Sequence, residues 1–512
     1  SPFVRRADLT RVGAAVAIGM LLVCWVLLTP PGAGPDEPSH FVRAGALANG
    51  DFDEFLAVRN DGALVAHQLP PEYALPEPGC YAFQPAVAVD CAVGSQAVPQ
   101  APGGDVTLLT KADDYPVWGH AVAALGTALP GNGGIWTARL ATALVVGVLV
   151  VASVRTATQH SLLAAAGALV AITPMTWSTF AQVNPSALAT AGALALWTTL
   201  LARRPGWLMA AGWAALALPR RDGLTWACLI VAVAVIACGR GVLAEVWRDR
   251  RRFAGPLVAV GLSTAVMLLW AVTNFSRVAR LGALAPLAVV AAWLVRAGWD
   301  RLAGRPRGRA VLVVGSLAVT AVGVAATFVV RPGGWQGELA RKIVGETRRH
   351  LTQAIGVLGW LDTPLPRWSV VAWTLLVVLL ALLAVRVHAW RAIVLAGAVL
   401  GLAIVTSWVF ELQSGSVDGT YWQGRYSLPL LVGVPLALTL HRRAPRGDGP
   451  ARLATGLAGA ALLLVNVAAW AAARRWTVGT DGTHLPWRWS AELLPVHAFP
   501  LLILHAAASG GL

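Results

Sequence analysis

The chain has 512 residues, 57% of them hydrophobic and only 13% charged, with a mean hydropathy of +0.64. Soluble domains carry about 25% charge, so this composition excludes an ordinary soluble enzyme. Apolar runs recur from residue 12 to residue 473, which excludes a soluble enzyme on one anchor as well.

The formal net charge of +15 would point to nucleic acid in a soluble protein. Here the basic residues sit in short clusters between apolar runs and read as orientation signals, with no nucleic-acid partner expected. Lysine occurs only at Lys111 and Lys342, and Ala, Val, Leu and Arg dominate, which points to a GC-rich genome such as that of an actinobacterium.

The first apolar run, 12–29, follows Arg5, Arg6 and Arg11, placing the N-terminus in the cytoplasm and residue 30 onward outside. A cleaved signal peptide is the competing reading; the run is long for one and has no A-x-A site. Further spans are expected over 135–154, 161–176, 186–202, 206–218, 223–238, 254–274, 281–298, 310–330, 368–386, 392–410, 428–440 and 453–473. The expectation is an all-α polytopic membrane protein of about 13 transmembrane helices, a single transmembrane domain over 1–512. The pair 206–218 and 223–238 is short and also suits a re-entrant hairpin. Alternation of sides puts the clusters at Arg203/Arg204, Arg240–Arg252, Arg301–Arg309, Arg386/Arg391 and Arg442–Arg452 in the cytoplasm.

Two long extracytoplasmic loops follow from this topology, 30–115 and 331–367. The first opens with Pro35-Asp36-Glu37-Pro38-Ser39-His40. Pro38 suits a first helical turn, so Asp36 and Glu37 fall at a helix N-terminus, where exposed N–H groups favour carboxylates. His40, three and four residues on, can share a site with either acid. Helix capping is the plain reading; proton abstraction or a divalent cation is the functional one. Cys80 and Cys91 share this loop, and a disulfide between them suits an oxidising exterior, against two free thiols. Cys24, Cys228 and Cys238 lie in apolar spans and read as core fillers. Asp113-Asp114 precedes Tyr115-Pro116 near the loop's end, as a solvated turn or a second acidic pair.

Further along, Asn184 precedes Pro185 at an outer helix start and reads equally as cap and site residue. Arg220, Arg221 and Asp222 occupy an outer turn, where snorkelling competes with phosphate binding. In 331–367, Leu339, Ile343, Leu351, Ala354, Ile355 and Leu358 share a helical face opposite Arg341, Lys342, Arg348 and Arg349. That pattern predicts an interfacial amphipathic helix, either a guide for a lipid phosphate or a brace. Arg425 lies in Tyr421-Trp422-Gln423-Gly424-Arg425-Tyr426 at the start of a span, and a guanidinium there suits phosphate. The chain has 23 Trp, among them Trp118, Trp177, Trp226, Trp360, Trp368 and Trp422 at span ends. Belt anchoring explains most, and a few outer ones suit stacking on sugars. No phosphate-cradling GxxxxGK[ST], CxxC or HExxH occurs.

Taken together, Pro35–His40, Asn184-Pro185, the stretch Gly359-Trp360-Leu361-Asp362-Thr363-Pro364-Leu365-Pro366 and Gln423-Gly424-Arg425-Tyr426 resemble the bacterial membrane family of unknown function numbered 2142. The match spans nearly the whole chain in order, and the acid pair with His40 and the QGRY stretch are its most specific parts. That family is similar to the integral-membrane glycosyltransferases of the C-type fold (GT-C), whose first outer loop bears an acidic pair and whose donor is a polyprenyl-phosphate sugar. The resemblance implies Asp36 at the catalytic acid position with Glu37 beside it. Tyr115-Pro116-Val117-Trp118 resembles a loosened Pro-Tyr motif of the wider group. A large C-terminal outer domain present in many relatives is not found here.

The expected function is sugar transfer on the outer face of the plasma membrane, from a polyprenyl-phosphate donor to a hydroxyl of an envelope glycan. Asp36, Glu37 and His40 form the expected catalytic set. Arg425, Tyr426, Gln423, Arg220 and Arg221 are expected to hold the donor phosphate, and Asn184, Trp422, Trp360 and Asp362 to contact substrate. An arabinose carried on decaprenyl phosphate fits the composition. The alternative is a transporter or flippase for lipid-linked sugars, which needs polar residues through the bilayer middle; a non-catalytic scaffold is a third reading.

Overall fold

The computed structural model describes residues 2–51, 64–95, 104–127, 133–239, 241–273, 277–302, 337–387, 389–414, 422–440 and 448–512. The expected span 310–330, Tyr421 and parts of both long loops lie outside these. Helix α1 (Pro2–Leu28) carries the first apolar run. It stops where Pro30 and Pro31 remove backbone donors, and Thr29 Oγ1 turns back onto Trp25 O at 2.8 Å.

The segment expected to form the first outer loop is a small folded unit with two strands, which corrects the all-α expectation. Helix α2 (Glu37–Ala48) is followed by β1 (Val65–Leu69) and β2 (Val106–Thr110), then α3 (Trp118–Thr127). The strands pair antiparallel, with Val65 opposite Thr110 and Leu69 opposite Val106. Their alternation buries Val65, His67 and Leu69 and exposes the residues between. Phe41, Leu47, Leu69, Tyr73 and Val106 form its core. Cys80 and Cys91 are joined by a disulfide, as expected from their shared loop.

The remaining helices in chain order are α4 (Gly134–His160), α5 (Leu162–Ala171), α6 (Pro174–Phe180), α7 (Pro185–Leu201), α8 (Trp207–Ala217), α9 (Gly223–Cys238), α10 (Gly241–Arg248), α11 (Ala254–Thr273) and α12 (Arg277–Leu302). Then come α13 (Gly337–Gly356), the ribbon β3 (Val357–Leu358) with β4 (Thr363–Pro364), α14 (Arg367–Arg386), α15 (Trp390–Ser414), α16 (Leu428–Leu431), α17 (Gly433–Leu440), α18 (Asp448–Val478) and α19 (Ala498–Gly510).

Among the described residues, five helices are each long and apolar enough to cross a membrane, within α4, α11, α14, α15 and α18, or six if the bent pair α5/α6 is one span. Seven shorter apolar helices of 10–17 residues accompany them, so several of the expected spans, about 13 in all, are shorter or bent here. The run 161–176 is broken by 71°, because Pro174 has no N–H to continue the ladder and Thr173 caps the next helix by accepting from Thr176 N–H. The run 428–440 divides at Val432, and α8 has only 11 residues. Helix α19 was not anticipated; at 13 residues its apolar run is too short to read as a span, yet it packs on α1. The amphipathic pattern of α13 is present, with Ile343 and Ala354 buried and Arg341, Arg348 and Arg349 exposed. Its partners are α6, α15 and the turn at Gly424–Ser427, which makes it a brace beneath Arg425.

Candidate active site

Asp36 is the N-cap residue of α2, in the left-handed region with φ 63°, and its side chain makes no capping hydrogen bond. Its carboxylate instead receives Arg425 Nη2. The capping reading therefore fails for Asp36: a residue at φ > 0 turns its side chain away from the helix N–H groups and toward the cavity. The Asp36 side chain is 47% exposed, whereas that of Arg425 is 2% exposed.

Arg425 is delivered by a clamped segment. Glu411 on α15 accepts from Trp422 N–H at 2.5 Å, and Gln353 on α13 accepts from Gly424 N–H at 2.9 Å. A Cβ on Gly424 would lie 2.1 Å from His350 O, so only glycine lets this turn close on α13. Arg425 Nη2 also approaches Tyr426 Oη at 3.4 Å, while its Nε and Nη1 are buried without a hydrogen-bond partner.

Asp36, Ser39, His40, Lys111, Asp114, Tyr115, Arg220, Arg221, Asp222, Trp422 and Tyr426 line a cavity of about 250 Å³. Arg220 is buried and held by Asp222, with Nε–Oδ1 2.7 Å and Nη2–Oδ2 3.0 Å, and donates to Ser186 Oγ at 2.6 Å. Its guanidinium lies 5.2 Å from the Tyr426 ring centroid. Burial works against its charge, but Asp222 and the facing tyrosines outweigh that and hold the group protonated. Arg221 lies 3.5 Å from Asp114. Burial pushes the Tyr115 hydroxyl up to about 12, so it stays neutral. Trp422 stacks on Phe410, with ring centroids 4.8 Å apart, and forms one wall.

His40 also lines the cavity, with Nδ1 hydrogen-bonded to Nε2 of His120 at 2.9 Å. Burial, then Arg425 and Arg220, push His40 down to about 3, and His120 is lowered by burial, His40 and Arg43. Nearby, His67 bridges Asp51 at 2.7 Å and Asp113 at 3.0 Å, and Arg43 holds the other oxygen of Asp113 at 2.8 Å. Burial opposes protonation of His67, but its bonds to Asp113 and Asp51 win and raise its pKa.

These shifts oppose each other in stability. His40 and His120 have folded pKa values below the unfolded value, about 6.5, so acidification below 6.5 protonates the unfolded chain first and removes stability, for His40 down to about pH 3. His67 has the opposite sign: its contribution is present below about 6.5 and is lost as pH rises through its raised folded pKa. The wild type is expected to lose melting temperature between pH 6.5 and 5, and His40→Gln to flatten that fall. Parallel curves for the two proteins would show that His40 is not held neutral.

Several expected site residues build the site without facing it. The Glu37 carboxylate, fully buried, takes Arg139 Nε at 2.8 Å and Nη2 at 2.5 Å, and accepts from Val183 N–H at 3.0 Å. Arg139 also donates to Thr29 O and Pro30 O. Asp36 alone of the acidic pair thus reaches the cavity. Asn184 caps α7 by accepting from Ser186 N–H at 2.9 Å and donates to Pro35 O at 3.3 Å. Asp362, 4% exposed, is paired with Arg475 at 2.9 Å. Trp360 donates to Gly32 O at 2.9 Å and stands apart from the cavity; Gln423 leads into the Arg425 turn, and neither of these two lines the cavity, Arg425 meeting it through Asp36 and Tyr426. Arg139 and His120 were missed by sequence reasoning. A lone Arg inside the apolar run 135–154 is itself a signal. Among the described residues no three His, Cys, Asp or Glu side chains converge as metal ligands.

Residues 20–434 match the family described as predicted membrane protein, DUF2142. The chain belongs to that family. DUF2142 membership and the repeated apolar helices make it a multi-pass membrane protein. No curated protein matches it in sequence. In fold it is similar to ArnT from Cupriavidus metallidurans in the apo state, at 15% identity over 86% of this chain and 78% of that one, TM-score 0.26. It is also similar to the same protein bound to undecaprenyl phosphate, at 12% identity over 96% and 87%, TM-score 0.23.

Proposed function

We propose that this DUF2142 protein is a membrane glycosyltransferase that moves a sugar from a polyprenyl-phosphate donor to a hydroxyl of a cell-envelope glycan. One observation carries the reading: a half-exposed carboxylate, Asp36, is paired with a buried guanidinium, Arg425, that has two further N–H-bearing atoms without hydrogen-bond partners. Unsatisfied buried donors are expensive, and phosphate oxygens are the acceptors a guanidinium fork matches best. A cavity of about 250 Å³ is smaller than the ~300–1,000 Å³ of sites enclosing drug-sized ligands, so it suits a headgroup with its isoprenoid tail in lipid.

The steps follow from these positions. Phosphate engages Arg425, with Arg221 and Lys111 at the rim, and Asp36 is released from its ion pair. The acceptor hydroxyl oxygen attacks the anomeric carbon and gives its proton to Asp36. The bond from that carbon to the phosphate oxygen breaks, and the electron pair leaves with polyprenyl phosphate, whose growing charge Arg425 stabilises. Arg220 is committed to Asp222 and Ser186, so it orients Tyr426 and supplies field. A membrane carrier would need polar groups along the bilayer; Glu37 with Arg139 and Asp362 with Arg475 are instead buried charges neutralised in place. The reaction is assigned to the extracytoplasmic face of the plasma membrane from the arginine clusters, and arabinose on decaprenyl phosphate is the first donor to test.

Arg425→Ala is expected to weaken binding of polyprenyl phosphate to protein in nanodiscs by about 10- to 100-fold, the range of one or two charge-assisted bonds. Equal affinity of the two proteins would remove Arg425 from the phosphate site.

A further inference from the structure

Away from the cavity, two strained loop segments meet at a pair of aromatic rings. Phe83, inside the disulfide-closed loop, has φ 63° and is 67% exposed. Facing it is Trp360, with ring centroids 5.8 Å apart, between Gly359 at φ 58° and Leu361 at φ 60°. A bulky residue at positive φ is strained and persists only where its surroundings over-determine it. They do so here. The Cys80–Cys91 bond closes the loop, Arg475 donates to Tyr81 O at 2.8 Å and Val87 O at 2.5 Å, and Thr480 N–H bonds to Pro85 O at 2.9 Å. The strain holds Phe83 against Trp360 while leaving most of the phenyl ring open to solvent.

We infer that Phe83 and Trp360 form a carbohydrate-stacking subsite for the acceptor glycan, a proposal that rests on the transferase reading above. The C–H face of a sugar ring is apolar and packs on aromatic faces, while its hydroxyls need polar neighbours. Polar groups lie one residue further along the same ribbon: Leu361, next to Trp360 in the chain, lines a second cavity of about 320 Å³ with Arg348, Arg349, Thr352 and Gln353. Gln353 also accepts from Gly424 N–H beside Arg425, so the second cavity backs onto the phosphate site. The Trp360 indole N–H bonds to Gly32 O at 2.9 Å, and Gly32 is four residues from Asp36, a chain reach of at most about 15 Å, or a few sugar units. Anchoring in the lipid interface is disfavoured by the same bond: interfacial Trp and Tyr work by presenting a polar tip to headgroups, but Trp360 has spent its N–H and Phe83 has none.

The test uses the full-length protein in nanodiscs and, as probes, arabinan, galactan and mannan tetrasaccharides, with polyprenyl phosphate binding measured in parallel. Phe83→Gly is the informative variant, since glycine accepts φ 63° without strain. At least one tetrasaccharide should bind the wild type, and Phe83→Gly and Trp360→Ala should each weaken it about tenfold. Phe83→Gly should retain or raise the melting temperature and leave polyprenyl phosphate affinity unchanged. The inference is overturned if none of the three glycans binds, if both variants bind them as the wild type does, or if Phe83→Gly instead reduces contact with brominated lipids. Loss of polyprenyl phosphate binding by the wild type would reject the transferase reading alone, since glycan binding is read separately.

Discussion

Asp36→Asn is expected to lower sugar transfer by about 10²- to 10⁴-fold while the protein stays folded. The change removes the proton-accepting charge and little else. Asparagine tolerates the left-handed backbone at φ 63° nearly as well as aspartate, and its amide oxygen still accepts from Arg425. With 47% of the side chain exposed, little stability is at stake. The measurement is transfer from radiolabelled polyprenyl-phosphate sugars to an envelope glycan, with melting temperature as the control for folding. Asp114→Asn, on the same cavity but facing Arg221, should retain far more activity. Full activity in Asp36→Asn would end the claim that this carboxylate is the base.

The largest effect on stability is expected at Arg139. Both Arg139 and Glu37 are fully buried, and the pair fastens the end of α1, the start of α2, the turn at Val183 and the first turns of α4. Replacing one partner of such a pair leaves an uncompensated charge and typically costs about 3–5 kcal/mol. Arg139→Leu should therefore melt far earlier than the wild type or fail to accumulate in the membrane. Adding Glu37→Leu should restore part of the loss, because the stranded carboxylate is gone. If Arg139→Leu alone melted like the wild type, the ion pair would not be what holds Asp36 in place.

The two predictions separate neighbours that the sequence presents as equals. Asp36 and Glu37 are adjacent, and both sit at a helix N-terminus, so local chemistry ranks them alike. Their partners decide the matter. Glu37 meets Arg139, 102 residues away, in a dry interior, and Asp36 meets Arg425, 389 residues away, at a cavity wall. No periodicity reports such pairings. His40 was read as sharing a site with these acids, and its neutral pairing with His120 is likewise a product of packing. Trp360 and Trp422 were both candidates for substrate contact, and only Trp422 reached the cavity of Asp36.

What the chain determined by itself was whatever adds up locally. Hydropathy summed along 20 residues gave the membrane class, Pro38 gave the helix start, and shared loop membership brought Cys80 and Cys91 together. Tertiary structure alone decided which helices break, which charges are spent on one another, and which of the adjacent acids Asp36 and Glu37 faces the cavity. A buried charge must find its partner wherever the fold brings one, and that choice is made across hundreds of residues rather than within a turn.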